Sequence, residues 1–180
     1  MAHSKSSFSF FFNRTLIGTT DTPCGIEDAY IPSDQETSIV HGDFRLDNMI
    51  FDPTTHEVKA ILDWELSTLG NPIADFTYHM MSWRLPAGAK GLGMMGSDLK
   101  SLNIPSESEY AELYYKKTGR EKIDNWDFYM AYNIFRLAGI AQGIVGRVRD
   151  GTASSSEAKN YEAFVPILGK LGWSIVEGIK

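Results

Sequence analysis

Apolar and polar residues follow no helical or alternating period up to about Ser33, and Thr19 to Pro23 reads as loop. The first ordered signal is the short run Ser38 to Val40, which leads into His41-Gly42-Asp43. Two more short, partly β-branched runs follow, Met49 to Phe51 and Val58 to Leu62, with Asp52-Pro53-Thr54-Thr55 between them. Short apolar runs on either side of a turn-forming cluster predict a hairpin.

After Leu62 the spacing becomes helical. Pro72 to Trp83 predicts a helix that stops before Pro86. Gly88 to Gly96 holds four glycines and the adjacent Met94 and Met95, and predicts a flexible loop. Ser106 with Glu109 has the capping-box spacing for a helix that reaches Lys117 and ends at Gly119. Asp124 opens a long apolar helix through Tyr129, Met130, Phe135, Leu137 and Ile144, closed by Gly151. Ser154 with Glu157 opens a last helix, which Pro166 is expected to kink or divide. The pattern is that of a mostly helical α+β chain: an irregular leader over residues 1–33, then a folded region over 34–180.

Composition narrows the function. The 180 residues are 43% hydrophobic and 22% charged, enough for one buried core. A net charge of −6 without a Lys/Arg run argues against a nucleic-acid partner. No apolar run approaches the roughly 20 residues of a membrane span, so no membrane partner is expected. Cys24 is the single cysteine, which rules out an intramolecular disulfide framework and suits a reducing compartment, with cytoplasm as the expectation. The first twenty residues hold Lys5, Arg14 and several serines with no acid before Asp21, a composition that also loosely suits a mitochondrial or other organelle transit segment.

The segment richest in chemistry is HGDFRLDNMIFDPTTHEVKAILDW, from His41 to Trp64. If the hairpin turns at Pro53 to His56, Asp52 pairs with Glu57, Asn48 falls opposite Ile61, and Asp63 lies two residues past that partner. Period-two alternation then places Asp63 about 7 Å along the strand on the face of Asn48. Asp43 sits at the near end of the loop leading to Asn48, so three oxygen-bearing side chains converge. Such a set suits Mg²⁺. It also matches the parts list of phosphoryl transfer from ATP: an acid that orients and deprotonates a hydroxyl, and an Asn and an Asp that hold the metal. Arg45 is placed to neutralise charge on the transferred group.

These residues resemble a known family. His41-Gly42-Asp43 with Asn48, followed by Ile61-Leu62-Asp63-Trp64, is similar to the aminoglycoside phosphotransferase and choline kinase family, relatives of the protein kinases. The fuller string ILDWELSTLGNPIADFTYHMMSW resembles the branch that forms the kinase domain of acyl-CoA dehydrogenase family members. The resemblance covers roughly Ile31 to Ile179. It implies the C-terminal lobe of a protein-kinase-like fold, with Asp43 as catalytic base and Asn48 and Asp63 holding Mg²⁺. Arg45 would replace the catalytic-loop lysine of protein kinases, and Asp75 would brace the loop from a helix start.

An upstream lobe of this fold carries a phosphate-covering glycine loop and a strand lysine. Gly18 and Gly25 make no such loop, and Lys5 lies in no recognisable strand. The expectation is a lobe without its nucleotide-gripping partner, weak in ATP affinity and inclined to form homo-oligomers through exposed apolar surface. Its leading function is phosphorylation of a small-molecule hydroxyl, with a hydroxyacyl thioester or hydroxy acid favoured over an aminoglycoside or choline-like alcohol. The alternatives are a non-catalytic remnant that binds a ligand or partner, and a metal-dependent hydrolase acting without ATP.

Beside these stand plainer roles. His41 is expected to hold the loop by hydrogen bonds, Asp47 to be a solvated acid, Trp64 to be core, and the methionines to pack. His79, Trp83 and Arg84 end the first predicted helix, where a substrate could lie, though the surface-helix reading carries more weight.

Overall fold

The computed structural model describes residues 32, 36–88, 93–123, 125–153, 158 and 160–179. The expected leader, the helix start at Asp124 and the capping pair Ser154 and Glu157 lie outside these residues. The described residues divide between two compact units, one over Ser33–Asn133 and the other containing Ile134–Lys180.

The first unit opens with four short strands: β1 (Ser38–Val40), β2 (Met49–Phe51), β3 (Val58–Ile61) and β4 (Thr68–Gly70). They form two antiparallel pairs, β1 with β4 and β2 with β3. The β2–β3 hairpin turns where the sequence predicts. Asp52 N–H donates to Glu57 O at 2.9 Å, and the Asp52 carboxylate accepts from the Thr54 and Thr55 amides, an Asx-type turn that fixes the loop.

The strand β4 is not foreseen by the spacing. It is three residues long and pairs Ser38 with Gly70 and Val40 with Thr68. Ile39 and Leu69, partners in this pair, are 74% and 72% exposed. Trp64, expected in the core, is exposed as well. Its indole N–H donates to Ile61 O at 2.8 Å, and its ring lies against His41 at 4.7 Å between centroids. Trp64 opens the 3₁₀ turn Trp64–Leu66.

Helix α1 (Pro72–Met80) begins where Asn71 caps it, the Asn71 Oδ1 accepting from Ile73 N at 2.8 Å and Ala74 N at 3.3 Å, with Pro72 at the first helical position. Ile73, Phe76, Thr77 and Met80 share the 3.6-residue stripe that the core buries. The helix tightens into a 3₁₀ turn over Met81–Trp83 and stops before Pro86, as the sequence indicates. Residues 93–96 return to this end: Met94 N donates to Ser82 O at 2.8 Å and Met95 N to Leu85 O at 2.9 Å. Part of the expected flexible loop is thus pinned by backbone bonds.

Helix α2 (Glu107–Thr118) has the expected capping box, with Ser106 and Glu109 serving each other's amides, and ends at Gly119 in the left-handed region. Phe76 of α1 stacks on Tyr114 of α2 at 3.8 Å and 10°. Helix α3 (Trp126–Arg149) supplies residues up to Asn133 to this unit. Fully buried Asn133 donates to Ala74 O and Thr77 Oγ1, both at 2.9 Å.

In the second unit, Ile134, Ala138 and Ala141 of α3 are buried, as are Phe164 and Leu168 of helix α4 (Tyr161–Ile179). A side chain at Gly172 would meet Phe135 Cε1 at 2.8 Å, so glycine there admits the ring. The α4 helix runs undivided through Pro166, because proline in the second turn forfeits only a bond close to the helix start.

Candidate active site

The loop that follows β1 is fixed from below by the first turn of α1. His41 N–H donates to Asp75 Oδ2 at 2.8 Å and Gly42 N–H to Asp75 Oδ1 at 2.9 Å, so one carboxylate holds two consecutive amides. Gly42 sits at φ +83°, and a Cβ there would stand 2.5 Å from Leu66 O, so the turn requires glycine. The His41 side chain is 2% exposed. Its Nδ1 receives Asp43 N–H at 3.2 Å, and its Nε2 lies 2.7 Å from Leu62 O. An amide can only donate and a carbonyl can only accept, so the hydrogen rides on Nε2 and the ring ties Asp43 to the strand end.

Asn48 ends the 3₁₀ turn Leu46–Asn48 and turns its amide group onto Asp43, Nδ2 donating to the Asp43 carbonyl at 2.9 Å and to its Oδ2 at 3.0 Å. This spends the amide nitrogen, and Asn48 Oδ1 has no partner among the described residues. The hairpin register differs from the simple count. Met49, rather than Asn48, pairs with Ile61, because a bulge between Ile50 and Phe51 inserts one residue on β3. Asn48 O instead receives Leu62 N–H at 2.8 Å, one residue before Asp63. Asp63 lies past the strand in the left-handed conformation, φ 64° and ψ 50°, so strand alternation does not set its direction. Its carboxylate makes no hydrogen bond among the described residues.

The carboxylates of Asp43 and Asp63 and the amide oxygen of Asn48 are hard donors of the kind that Mg²⁺ takes together with phosphate oxygens. Asn48 and Asp63 would hold the ion.

Arg45 hydrogen-bonds Asp47 rather than Asp43, while the Asp43 charge still acts on it. Its guanidinium forks onto Asp47, Nε to Oδ1 at 2.8 Å and Nη2 to Oδ2. The hydrogen bond raises the pKa of Arg45 and lowers that of Asp47. Asp47 is exposed, as a solvated acid would be, yet it is paired.

Arg45, Asp47, His79, Trp83, Met94 and Tyr110 line a cavity of about 440 Å³ next to this loop. The His79 ring sits among Phe44, Trp83 and Tyr110, with centroids 5.6 to 5.9 Å away. Arg84, grouped with His79 and Trp83 by sequence, does not line it. Arg84 is drawn to Glu107 by three hydrogen bonds and to Asp127 Oδ1 at 2.6 Å, a pairing that stitches α1 to α2 and α3. Tyr110, Met94 and Phe44 are lining or flanking residues that sequence reasoning passed over. Phe44 directly follows Asp43, which was the available signal. A larger surface depression of about 980 Å³ lies along the capped start of α2, but no residue of the Asp43 loop reaches it.

Residues 26–113 match the model of the phosphotransferase enzyme family. Mouse acyl-CoA dehydrogenase family member 10 is 45% identical over 145 residues, 80% of this chain and 14% of the relative. Human acyl-CoA dehydrogenase family member 11 is 37% identical over 141 residues, 78% of this chain and 18% of the relative. The chain therefore spans less than a fifth of the curated relatives it matches. A crystal structure from Ralstonia eutropha, described as a candidate aminoglycoside phosphotransferase, is 49% identical with a TM-score of 0.74, covering 79% of this chain and 43% of that one.

Proposed function

The chain belongs to the phosphotransferase enzyme family, and from that premise we propose that it transfers a phosphoryl group from ATP to the hydroxyl of a small molecule in the cavity beside Asp43. The observation that carries this reading is the pairing of Asn48 Nδ2 with the Asp43 carboxylate, which orients the base and leaves Asn48 Oδ1 and the Asp63 carboxylate open to a cation. The acceptor oxygen bonds to the γ-phosphorus as the bond to the β,γ-bridging oxygen breaks. The hydroxyl proton passes to Asp43, and ADP departs. Bound Mg²⁺ supplies neutralisation of the phosphate charge. Arg45, held at the cavity edge by Asp47, adds positive charge near the transferred group.

A hydroxyacyl thioester or hydroxy acid is the acceptor this reading favours. Two relatives bear acyl-CoA dehydrogenase names, and the cavity is walled largely by rings, Met81, Met94 and Ile104. An aminoglycoside needs several free carboxylates, whereas among the described residues the one carboxylate lining this cavity, that of Asp47, is committed to Arg45. Following phosphomonoester formation from Mg-ATP and a hydroxyacyl thioester by ³¹P NMR tests the proposal. Turnover should require Mg²⁺ and fall about 10²- to 10⁴-fold in Asp43→Asn. An Asp43→Asn protein with undiminished turnover would overturn the assignment, ATP-independent phosphate release would indicate a hydrolase, and binding with no turnover would leave a non-catalytic module.

A further inference from the structure

The cavity contains a polar group to which neither the fold nor the chemistry above gives a task. The imidazole of His79 makes no hydrogen bond among the described residues, although its ring is packed by Phe44, Trp83 and Tyr110. The other strong donors of the wall are committed: the Trp83 indole N–H to Pro105 O at 2.9 Å, and the Arg45 guanidinium to Asp47. Ser82 and Tyr110 offer hydroxyls, whose hydrogens rotate and confer less directional selection. Burial lowers the His79 pKa from its ordinary value and so favours the neutral imidazole, which presents one donor and one acceptor nitrogen in a ring packed by three others. Its place relative to the chemistry follows from Phe44, which adjoins Asp43 in the chain and has its ring 5.8 Å from that of His79.

Resting on the phosphotransferase reading, we propose that His79 is a positioning residue for the acceptor, gripping a neutral oxygen, a carbonyl or second hydroxyl, of an otherwise apolar hydroxylated molecule so that its reacting hydroxyl faces Asp43. A neutral imidazole in a ring-lined wall gives a carbonyl oxygen a directed partner, and gives an ammonium group no counter-charge. The acceptor class is therefore neutral at the gripped position. An acceptor lacking that oxygen would leave the imidazole desolvated and unpaired, a penalty that turns a packing residue into a selective one.

The test is a titration of the full chain by ¹⁵N NMR, with affinities followed through the backbone amide signals of the cavity residues in every variant and the His79 ring signals read in wild type. The probes are 3-hydroxyoctanamide, 2-octanol, which lacks the carbonyl, and choline. The amide should shift the His79 ring signals and saturate. His79→Phe, which keeps the ring packing, should weaken amide binding about tenfold or more while leaving 2-octanol unchanged. His79→Gln, which keeps a donor and an acceptor, should recover part of the loss. In turnover the Phe variant should raise the acceptor KM more than it lowers kcat. Equal amide affinity in wild type and His79→Phe, tighter binding of choline than of the amide, or no saturable shift would each overturn the proposal. The two readings fail separately. His79-dependent binding without turnover removes phosphotransfer and keeps the grip, whereas turnover indifferent to His79 removes the grip and keeps phosphotransfer.

Discussion

The two ends of α1 serve the same site by opposite means. At its start, the Asp75 carboxylate accepts two consecutive backbone N–H groups of the Asp43 loop. Near its end, His79 packs against the rings of Phe44, Trp83 and Tyr110 and makes no hydrogen bond among the described residues. Saturated hydrogen bonding fixes a backbone to within a few tenths of an ångström, which a catalytic base requires. Ring packing fixes a side chain while leaving its polar edge available, which a ligand pocket requires. One helix thus sets both the position of Asp43, the base we propose, and part of the wall of the cavity.

The sharpest way to break this comparison is to empty the polar end. Asp75→Ala strands the His41 and Gly42 amides in a half-buried setting, and should cost about 2–4 kcal/mol in urea unfolding together with most of the activity. A loss below about 1 kcal/mol, the value of a single ordinary hydrogen bond, would mean the loop is held elsewhere.

A smaller effect is expected at Arg84, which bonds Glu107 and Asp127 away from the cavity. Arg84→Met should lower stability by about 1–2 kcal/mol and leave the acceptor KM unchanged. A large KM shift would return Arg84 to the substrate site.

The smallest effect belongs to the packed end. Because burial lowers the His79 pKa from its ordinary 6.5, the unfolded chain takes up a proton at this residue more readily than the folded one. Its contribution is full above pH 6.5 and declines as pH falls from there toward the depressed folded value. Stability measured against pH in wild type and His79→Phe should diverge only on the acid side, with wild type losing more. Parallel curves would show that His79 is not desolvated.

What the sequence made legible was local. The turn at Asp52 to His56, the capping box at Ser106 and the proline stop after Trp83 each depend on residues within four positions of one another. The β1–β4 pairing was hidden because β4 is three residues long and its partner lies far upstream. The bulge at Ile50 and Phe51 cannot be read from a hairpin count, and it moved Asn48 by one residue in the register. Asp63 drew attention as a ligand through its spacing, yet its left-handed backbone, which aspartate tolerates better than most residues, carries no signature in the chain. Arg84 looked like a cavity residue because its neighbours are; its partner Glu107 stands 23 positions away, beyond any local pattern.

In the function we propose, Asp43, Asn48 and Asp63 face one cation site that serves ATP. The most direct measurement is paramagnetic broadening of backbone amide signals by Mn²⁺ added with ATP. Broadening should centre on Asp43, Asn48 and Asp63 and largely disappear in Asp63→Asn. Amides of these three residues that stay sharp while others broaden, or a pattern unaltered in Asp63→Asn, would contradict the account.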